Sequence, residues 1–496
     1  MSGASASEPP TAVTDSCDVA IVGCGPAGLA AAQVLREQGL AVTLIDEQPR
    51  AGGQFLRQPP RGFTVSNWLP GKLYAPAKSV LHAVEGREGI DWRLSSTVLG
   101  IMPVSQYRAD ARGASHELWI QGPSGAYVLR AGAILLATGC YERPLAFPGW
   151  TLPGVMGAGA IQGFLKSQQF VPGKRFVLAG SHPLQLVVAD QLAGAGADVA
   201  AVVFTQPWQR ALAVLLRPDV LLRYSRTFLE TARIVARLRR ARVPMLFGRT
   251  IVRAEGTDAV ERVTVAALRA EGSIDHGHVQ AIECDRLGLC HGFLTSSELA
   301  RQAGAQVRWC EHEGGWVVDH DEWFESTAAR IFVAGEITGV AGADAALEKG
   351  RIAAAGILQA LGRIDKETAR RLAQSARHSL ASIAGFAAAL RRLAQPPPGL
   401  ALETLTPETI LCRCERVTRG TFEQALRDHP HVQSADAAKL LTRVGMGLCQ
   451  GRLCGDNAAR LIATLRDTDV TEVGPFQVRA PVKPLLLGTI RRERCD

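Results

Sequence analysis

Three features of the sequence predict an α/β protein with a helical appendage. Two stretches, 18–46 and 175–204, each read as a short apolar strand, a tight turn, an apolar-faced helix and a second apolar strand, the order of a doubly wound parallel sheet. Mean hydropathy is near zero and aromatic residues are few, as in chains whose sheets are buried on both faces. Beyond residue 363 the composition shifts to Ala, Arg and Leu, a proline break follows, and four cysteines then arrive in two close pairs. The expected architecture is two dinucleotide-binding (Rossmann-like) domains and a small, mainly helical C-terminal domain. A chain of 496 residues is long enough for three such bodies.

Residues 1–16, MSGASASEPPTAVTDS, carry neither a basic nor an apolar leader segment and read as a disordered tail. With no leader, the eleven cysteines argue against a disulfide framework. The charge-free run from Leu145 to Leu165 is broken by Pro148, Gly149, Pro153, Gly154, Gly157 and Gly159 and makes a poor membrane span. A cytoplasmic location is expected, with a peripheral place at the inner face of a membrane as its variant. The net charge of +8 suits anionic cofactors or an acidic partner. No recognition helix, RNA-binding signature or zinc finger accompanies it, so nucleic acid is not an expected partner.

The first unit is complete. DVAIV (18–22) is a buried-type strand, GCGPAG places glycines at 23, 25 and 28, a helix runs to Gly39, and AVTLID ends in Asp46. Gly23 permits the tight turn, Gly25 lets a pyrophosphate approach the backbone, and Gly28 lets helix and strand pack closely. The helix N-terminus offers free N–H groups to phosphates. Asp46, eighteen residues after Gly28, can accept hydrogen bonds from a ribose diol, a task for which Glu47 is the lesser candidate. RAGGQ (50–54), AILLATG (133–139) and RIFVAGEITG (330–339) complete the pattern. Together these resemble the two-dinucleotide-binding-domain flavoproteins of the thioredoxin and glutathione reductase type over about residues 17–360. The resemblance implies FAD, with Gly52, Gly53 and Gln54 along the flavin, Thr138 and Gly139 bordering it, and Gly335–Glu336 on the ribityl chain. The family usually has Asp where Glu336 stands.

The second unit keeps the outline and loses the details. Its turn reads GSHPLQ, with Gly180 retained and His182 where a second glycine belongs, and Thr205, Gln206 and Pro207 follow the strand where an acid belongs. A side chain at that place obstructs a pyrophosphate. A further resemblance, to the dehydrogenase subunits named below, implies that an adenine nucleotide can bind here without serving as a redox partner. Residues 214–242 form a basic amphipathic helical region, read as a solvated arginine face, with a membrane surface or acidic partner as the alternative.

QPPPG (395–399) breaks the chain before the last domain. There Cys412-x-Cys414 and Cys449-x4-Cys454 are separated by 34 residues. Four thiolates suit zinc or an iron–sulfur cluster. C-x-C is unusual for zinc, and two pairs suit the two irons of a [2Fe–2S] unit, so the cluster is preferred. Glycines 445, 447, 451 and 455 leave N–H groups for sulfur, and Arg413, Arg416, Arg443 and Arg452 can offset the anionic charge. No C-x-x-C is present, which removes the dithiol relay of a thioredoxin reductase.

CRCE, GMGLCQGRLC, residues 140–166 and residues 284–304 make nearly the whole chain similar to the α subunit of heteromeric amino-acid dehydrogenases. Opine oxidase, hydrogen cyanide synthase, and hydroxyproline or proline dehydrogenases belong to that group. The C-terminal domain resembles bacterioferritin-associated ferredoxin. The resemblance implies an electron-transfer role beside an FAD-dependent amino-acid-oxidase-like β subunit, with a small ferredoxin-like γ subunit and a membrane quinone for acceptor. It implies an FAD domain at 17–149 and 279–362, a second nucleotide-binding-like domain at 150–278, a helical linker at 363–402, the [2Fe–2S] domain at 403–470 and a tail at 471–496. No substrate base or nucleophile is legible, so no catalytic residue is assigned. Two other readings stay open: an NAD(P)H-dependent flavin reductase, and an iron-sensing assembly protein with an inert flavin.

Overall fold

The computed structural model describes residues 15–66, 68–69, 71–104, 115–210, 224–486 and 488. Most of the N-terminal tail, residues 214–223 of the basic region and the last residues of the C-terminal tail lie outside them.

The apolar run Asp15–Val22 is the centre of a seven-stranded sheet. It pairs in parallel with Val42–Ile45 on one side and Gly125–Leu136 on the other, and Ile331–Val333 returns from far along the chain to extend the parallel set. Thr97–Pro103 and His116–Gly122 add antiparallel strands at the far edge. Helix Pro26–Glu37 starts with Pro at its first turn, a position where the missing N–H costs nothing, and buries Leu29, Ala31 and Leu35. Gly28 must be glycine: a Cβ there would stand 2.0 Å from the Gly23 carbonyl oxygen. Helix Ala343–Ala360 packs beside it through a run of buried alanines.

The second sheet orders Met245–Phe247, Asp198–Phe204, Arg175–Gly180, Arg286–Cys290 and Val155–Gly157, all parallel. An antiparallel meander, Arg249–Glu255, Arg262–Leu268 and Ile274–Glu283, flanks it. Helix Ser225–Arg240 buries Ile234 and Leu238 in the core of this half, and its Arg237 forks onto Asp190 with two 2.7 Å bonds. The described part of the basic region is thus an ordinary amphipathic helix on the second sheet.

Helix Lys366–Ala394 is capped by Asp365, which accepts from the Thr368 N–H at 2.7 Å, and lays Ala369, Ala373 and Ala376 against the first domain's core. After the prolines, a hairpin of Ile410–Cys412 and Val417–Thr418 leads into helices Arg419–Asp428, Ala435–Thr442 and Gly455–Arg466. Thr418 and Ser434 cap the first two of these. The proline break does not set this domain adrift. Its Leu411, Phe422 and Ile462 share one apolar core with Phe147, Trp150 and Val263, and the Trp150 indole N–H donates to the Ile410 carbonyl at 2.6 Å. The last described residues fold back as well: Phe476 lies over Gly445 and Gly451, and the Val482 N–H bonds to the Leu99 carbonyl. Within 471–486, which the sequence suggests is a tail, Val473, Phe476 and Val482 are buried and anchor the segment to the rest of the chain. Among the described residues no helix is long and apolar enough to cross a membrane.

Candidate functional site

The carboxyl ends of the central strands open onto a cleft of about 940 Å³, the usual ligand position of a doubly wound sheet. Of the residues assigned from sequence, Gly23, Gly25, Asp46, Gly53, Gln54, Thr138, Gly139, Gly335 and Glu336 line it; Gly28 and Gly52 do not. Gly28 is spent on packing, and Gly52 donates its N–H to the Cys24 carbonyl at 2.7 Å to close the turn beneath. Gly25 and Gly53 face each other across the floor, where a Cβ on Gly53 would come within 2.8 Å of the Gly25 Cα. That is a cradle only bare backbone can form, and it suits a dinucleotide diphosphate.

Asp46 ends its strand with both carboxylate oxygens on backbone: Oδ2 accepts from Cys24 N–H at 2.7 Å and Oδ1 from Gln48 N–H at 2.8 Å. Burial raises its pKa, and these amides and Arg57 pull the other way. Each oxygen keeps a lone pair for a ribose hydroxyl. Glu336 is half-buried and organises a loop, accepting from Gly342 N–H at 2.9 Å and Ala341 N–H at 3.2 Å. Burial pushes its carboxyl up, with Lys349 the main opposing charge. Thr138 gives its hydroxyl to the Ser296 carbonyl at 2.7 Å, leaving its backbone to the cleft.

Sequence reasoning missed several lining residues. Lys166 ends the charge-free run and is buried beside the Gln54 and Phe55 carbonyls, at 3.4 and 3.3 Å, where desolvation lowers it to about 8. A lone cation closing an apolar run was the available signal. Glu142, raised to about 7 by burial, accepts from the Gly159 N–H at 2.7 Å. His182, which the sequence already marks as the obstruction in the second turn, lines the cleft too. It is half-buried as a residue, its ring desolvated and held neutral, lowered to about 4, with Nδ1 accepting from Leu184 N–H at 3.2 Å and the ring edge-on to Phe293.

The four assigned cysteines converge, though not by their sequence pairs. Cys412 meets Cys454, and Cys414 meets Cys449, so each contact joins the two halves of the domain. Among the described residues no three potential ligands converge tightly enough for a single ion. Two thiol pairs are what two bridged irons require. The Cys412 thiol is drawn down to about 6, first by its hydrogen bond with Cys454 and then by the N–H groups of Gly445, Glu415 and Cys414. Donors aimed at sulfur favour the thiolate that a cluster needs. Gly447 lets the segments touch, since a Cβ there would be 2.1 Å from the Cys414 Cβ.

The two sites share a wall. Arg452, inside the Cys449–Cys454 loop, also lines the cleft; its guanidinium donates to the Cys449 carbonyl and the Val482 carbonyl and pairs with Glu298 at 3.3 Å. Arg413, Arg416 and Arg443 point outward and are exposed. A buried ionic network fastens the same interface: Arg460 reaches Glu311 at 3.0 Å and Asp456 at 3.2 Å, with Arg143 alongside.

A family model described as pyridine nucleotide-disulphide oxidoreductase matches residues 17–356, and one described as BFD-like [2Fe-2S] binding domain matches residues 410–464. The chain is similar to hydrogen cyanide synthase subunit HcnB of Pseudomonas protegens, 34% identical over 95% of this chain and 96% of that one. It is similar to an opine oxidase subunit of Agrobacterium tumefaciens, 32% identical over 97% of this chain and 92% of that one. The crystal structure of L-proline dehydrogenase from P. horikoshii shares the fold, with a TM-score of 0.68 and 21% identity over 96% of this chain and 80% of that one. With both family domains in place, the chain belongs to the pyridine nucleotide-disulphide oxidoreductase family, as a flavin-dependent oxidoreductase whose cofactors are FAD and a C-terminal [2Fe–2S] cluster.

Proposed function

We propose that this chain is the electron-transfer subunit of a heteromeric amino- or imino-acid dehydrogenase of the hydroxyproline, opine or glycine type. The observation that carries the reading is Arg452, one side chain that belongs to the cysteine loop and to the wall of the cleft. FAD accepts electrons in pairs and a [2Fe–2S] cluster carries them singly, so the two together convert one flow into the other.

The remaining work falls to the chain's own side chains. Gly23 and Gly25 of the turn and Gly53 and Gln54 of the strap would hold the diphosphate and flavin edge, with Gly28 and Gly52 shaping the backbone beneath them; Asp46 would hold the ribose, and Thr138, Gly139, Gly335 and Glu336 would border the rest. Lys166 supplies a desolvated positive charge, which favours negative charge on whatever is bound beside it. Cys412, Cys414, Cys449 and Cys454 hold the cluster. The division into an FAD domain at 17–149 and 279–362, a second domain at 150–278, a helical connector at 363–402 and a cluster domain at 403–470 belongs to the same reading. So do an FAD-dependent β subunit that removes hydride from the C–H bond of the carbon bearing the substrate nitrogen, turning C–N into C=N, a small ferredoxin-like γ subunit, a membrane quinone as acceptor, a cytoplasmic place at the membrane's inner face, and an adenine nucleotide in the second domain.

His182 and Gln206 speak against a self-contained NAD(P)H reductase. The Gln206 amide, where an acid would meet a ribose, donates to the Ser181 and Leu393 carbonyls at 2.5 and 2.6 Å. The test is co-purification from the native host, followed by dye-reduction assays with proline, hydroxyproline, glycine and opines. Amino-acid-dependent reduction is expected only with a flavoprotein partner present. Rapid anaerobic bleaching of the isolated chain by NADH would overturn the proposal.

A further inference from the structure

The cysteine site has two unlike sides. Cys412 and Cys454 are fully buried, whereas Cys414 is exposed and Cys449 half-buried. Around the outer pair the surface is apolar at its centre and cationic at its rim. Leu448, adjoining Cys449, is 79% exposed and Leu440 is 76% exposed, the two most exposed large hydrophobic side chains among the described residues. Leu441 is exposed as well. Two contacts bring the segments that carry these leucines to the outer cysteine: Gly447, next to Leu448, abuts Cys414, and Arg443, two residues beyond Leu441, pairs with Glu415 at 2.8 Å. Arg413 and Arg416, on either side of Cys414–Glu415, are also exposed. Three arginines against one glutamate leave the rim positive. Apolar side chains inside a charged rim are the anatomy of a protein interface.

We propose that this face docks an acidic one-electron redox protein, one whose own contact surface sets carboxylates around an apolar centre. The inference deepens the proposed function and rests on it for the direction of flow, from the partner subunits through this chain toward the acceptor. The reduced partner is the electron donor; one electron crosses to the cluster domain, no bond forms or breaks, and no proton is exchanged on this face. The rim arginines steer the encounter, and Leu440 and Leu448 exclude water at contact. The inner side of the site, at Arg452, then faces the flavin cleft.

The test mixes the complete, cofactor-loaded chain with chemically reduced plant-type [2Fe–2S] ferredoxin, an acidic one-electron protein, in a stopped-flow instrument. Flavin bleaching gives the rate, and the paramagnetic signal of each dithionite-reduced preparation normalises it per cluster. The second-order rate is expected to fall roughly tenfold or more between about 20 mM and about 500 mM salt. Arg416→Glu is expected to lower it about tenfold at low salt and flatten the salt dependence, and Leu440→Glu to lower it at every salt concentration. A rate indifferent to salt and to both substitutions would overturn the docking face. Salt-sensitive exchange in a preparation without amino-acid-dependent reduction would sink the proposed function and leave the face standing.

Discussion

In the first nucleotide unit, Asp15–Val22 lies between Val42–Ile45 and Gly125–Leu136; in the second, Arg175–Gly180 lies between Asp198–Phe204 and Arg286–Cys290. Their parallel cores match, the first sheet adding two antiparallel strands at its edge. Their turns do not. The first leaves Gly25, Pro26 and Ala27 on the cleft wall and directs Asp46 to the Cys24 amide beside it. The second ties both Ser181 N–H and His182 N–H to the Cys290 carbonyl at 2.9 Å, buries the His182 ring and fastens Gln206 to backbone. A nucleotide fold therefore persists on its packing alone, while binding depends on a few unfilled positions that packing does not require. Fold and site answer to different residues.

The largest effect should come from filling the first turn. A Cβ on Gly25 meets nothing nearer than the Gly53 Cα at 3.9 Å, so Gly25→Val folds, yet its methyls enter the diphosphate cradle. FAD affinity is expected to fall roughly 100-fold or more, about 3 kcal/mol, measured by flavin absorbance per chain and titration of stripped protein. His182→Val, at the matching place in the second unit, should leave flavin content unchanged. A fully yellow Gly25→Val protein would show that the diphosphate lies elsewhere.

This asymmetry also explains what was legible in the sequence. Gly23, Gly25, Gly28 and Asp46 could be placed because backbone geometry dictates residue type at fixed spacing, and the four cysteines because thiolates are scarce and specific. Glu142, His291 and the cleft-facing role of Arg452 could not, since strands and loops far apart in sequence bring them to the cleft and no local pattern encodes that meeting; Lys166 left only the signal of a lone cation after an apolar run. The crossing of the cysteine contacts, Cys412 to Cys454 and Cys414 to Cys449, follows from the tertiary placement of helix Gly455–Arg466 and was likewise unreadable. The anchoring of the chain beyond residue 470 was not readable, because Phe476 and Val482 meet partners, Gly451 and Leu99, that lie in other elements.

A pH experiment sharpens the contrast by an intermediate amount. Helix Pro26–Glu37 has no acid in its first turn, leaving that end open to a ligand. Helix Ala158–Gly163 instead holds the Glu142 carboxylate at its amides. Burial raises Glu142 from 4.5 to about 7, so over that window the folded chain keeps a proton the unfolded chain has released. Stability from this group is full below 4.5 and declines as pH rises toward 7. Glu142→Gln abolishes that slope. The variant should gain on the wild type by up to roughly 3 kcal/mol across the window, read from urea midpoints. Parallel pH profiles would mean that Glu142 titrates as an ordinary carboxylate.

The smallest effect comes from trying to reopen the second unit. His182→Gly removes the ring from the turn, and Gln206→Asp restores an acceptor where a ribose would lie. The lost packing against Phe293 should cost about 1–2 kcal/mol, a few degrees in thermal midpoint. The gain is limited because the Ser181 amide stays bonded to the Cys290 carbonyl, and a donor already engaged cannot also cradle a phosphate. Binding of NADH at millimolar strength, about −4 kcal/mol, is therefore the expected ceiling, detected as slow flavin bleaching that the wild type lacks. If wild type and double variant bleach equally fast, His182 does not close the site, and the distinction between the two units is one of affinity for a different ligand rather than of a filled turn.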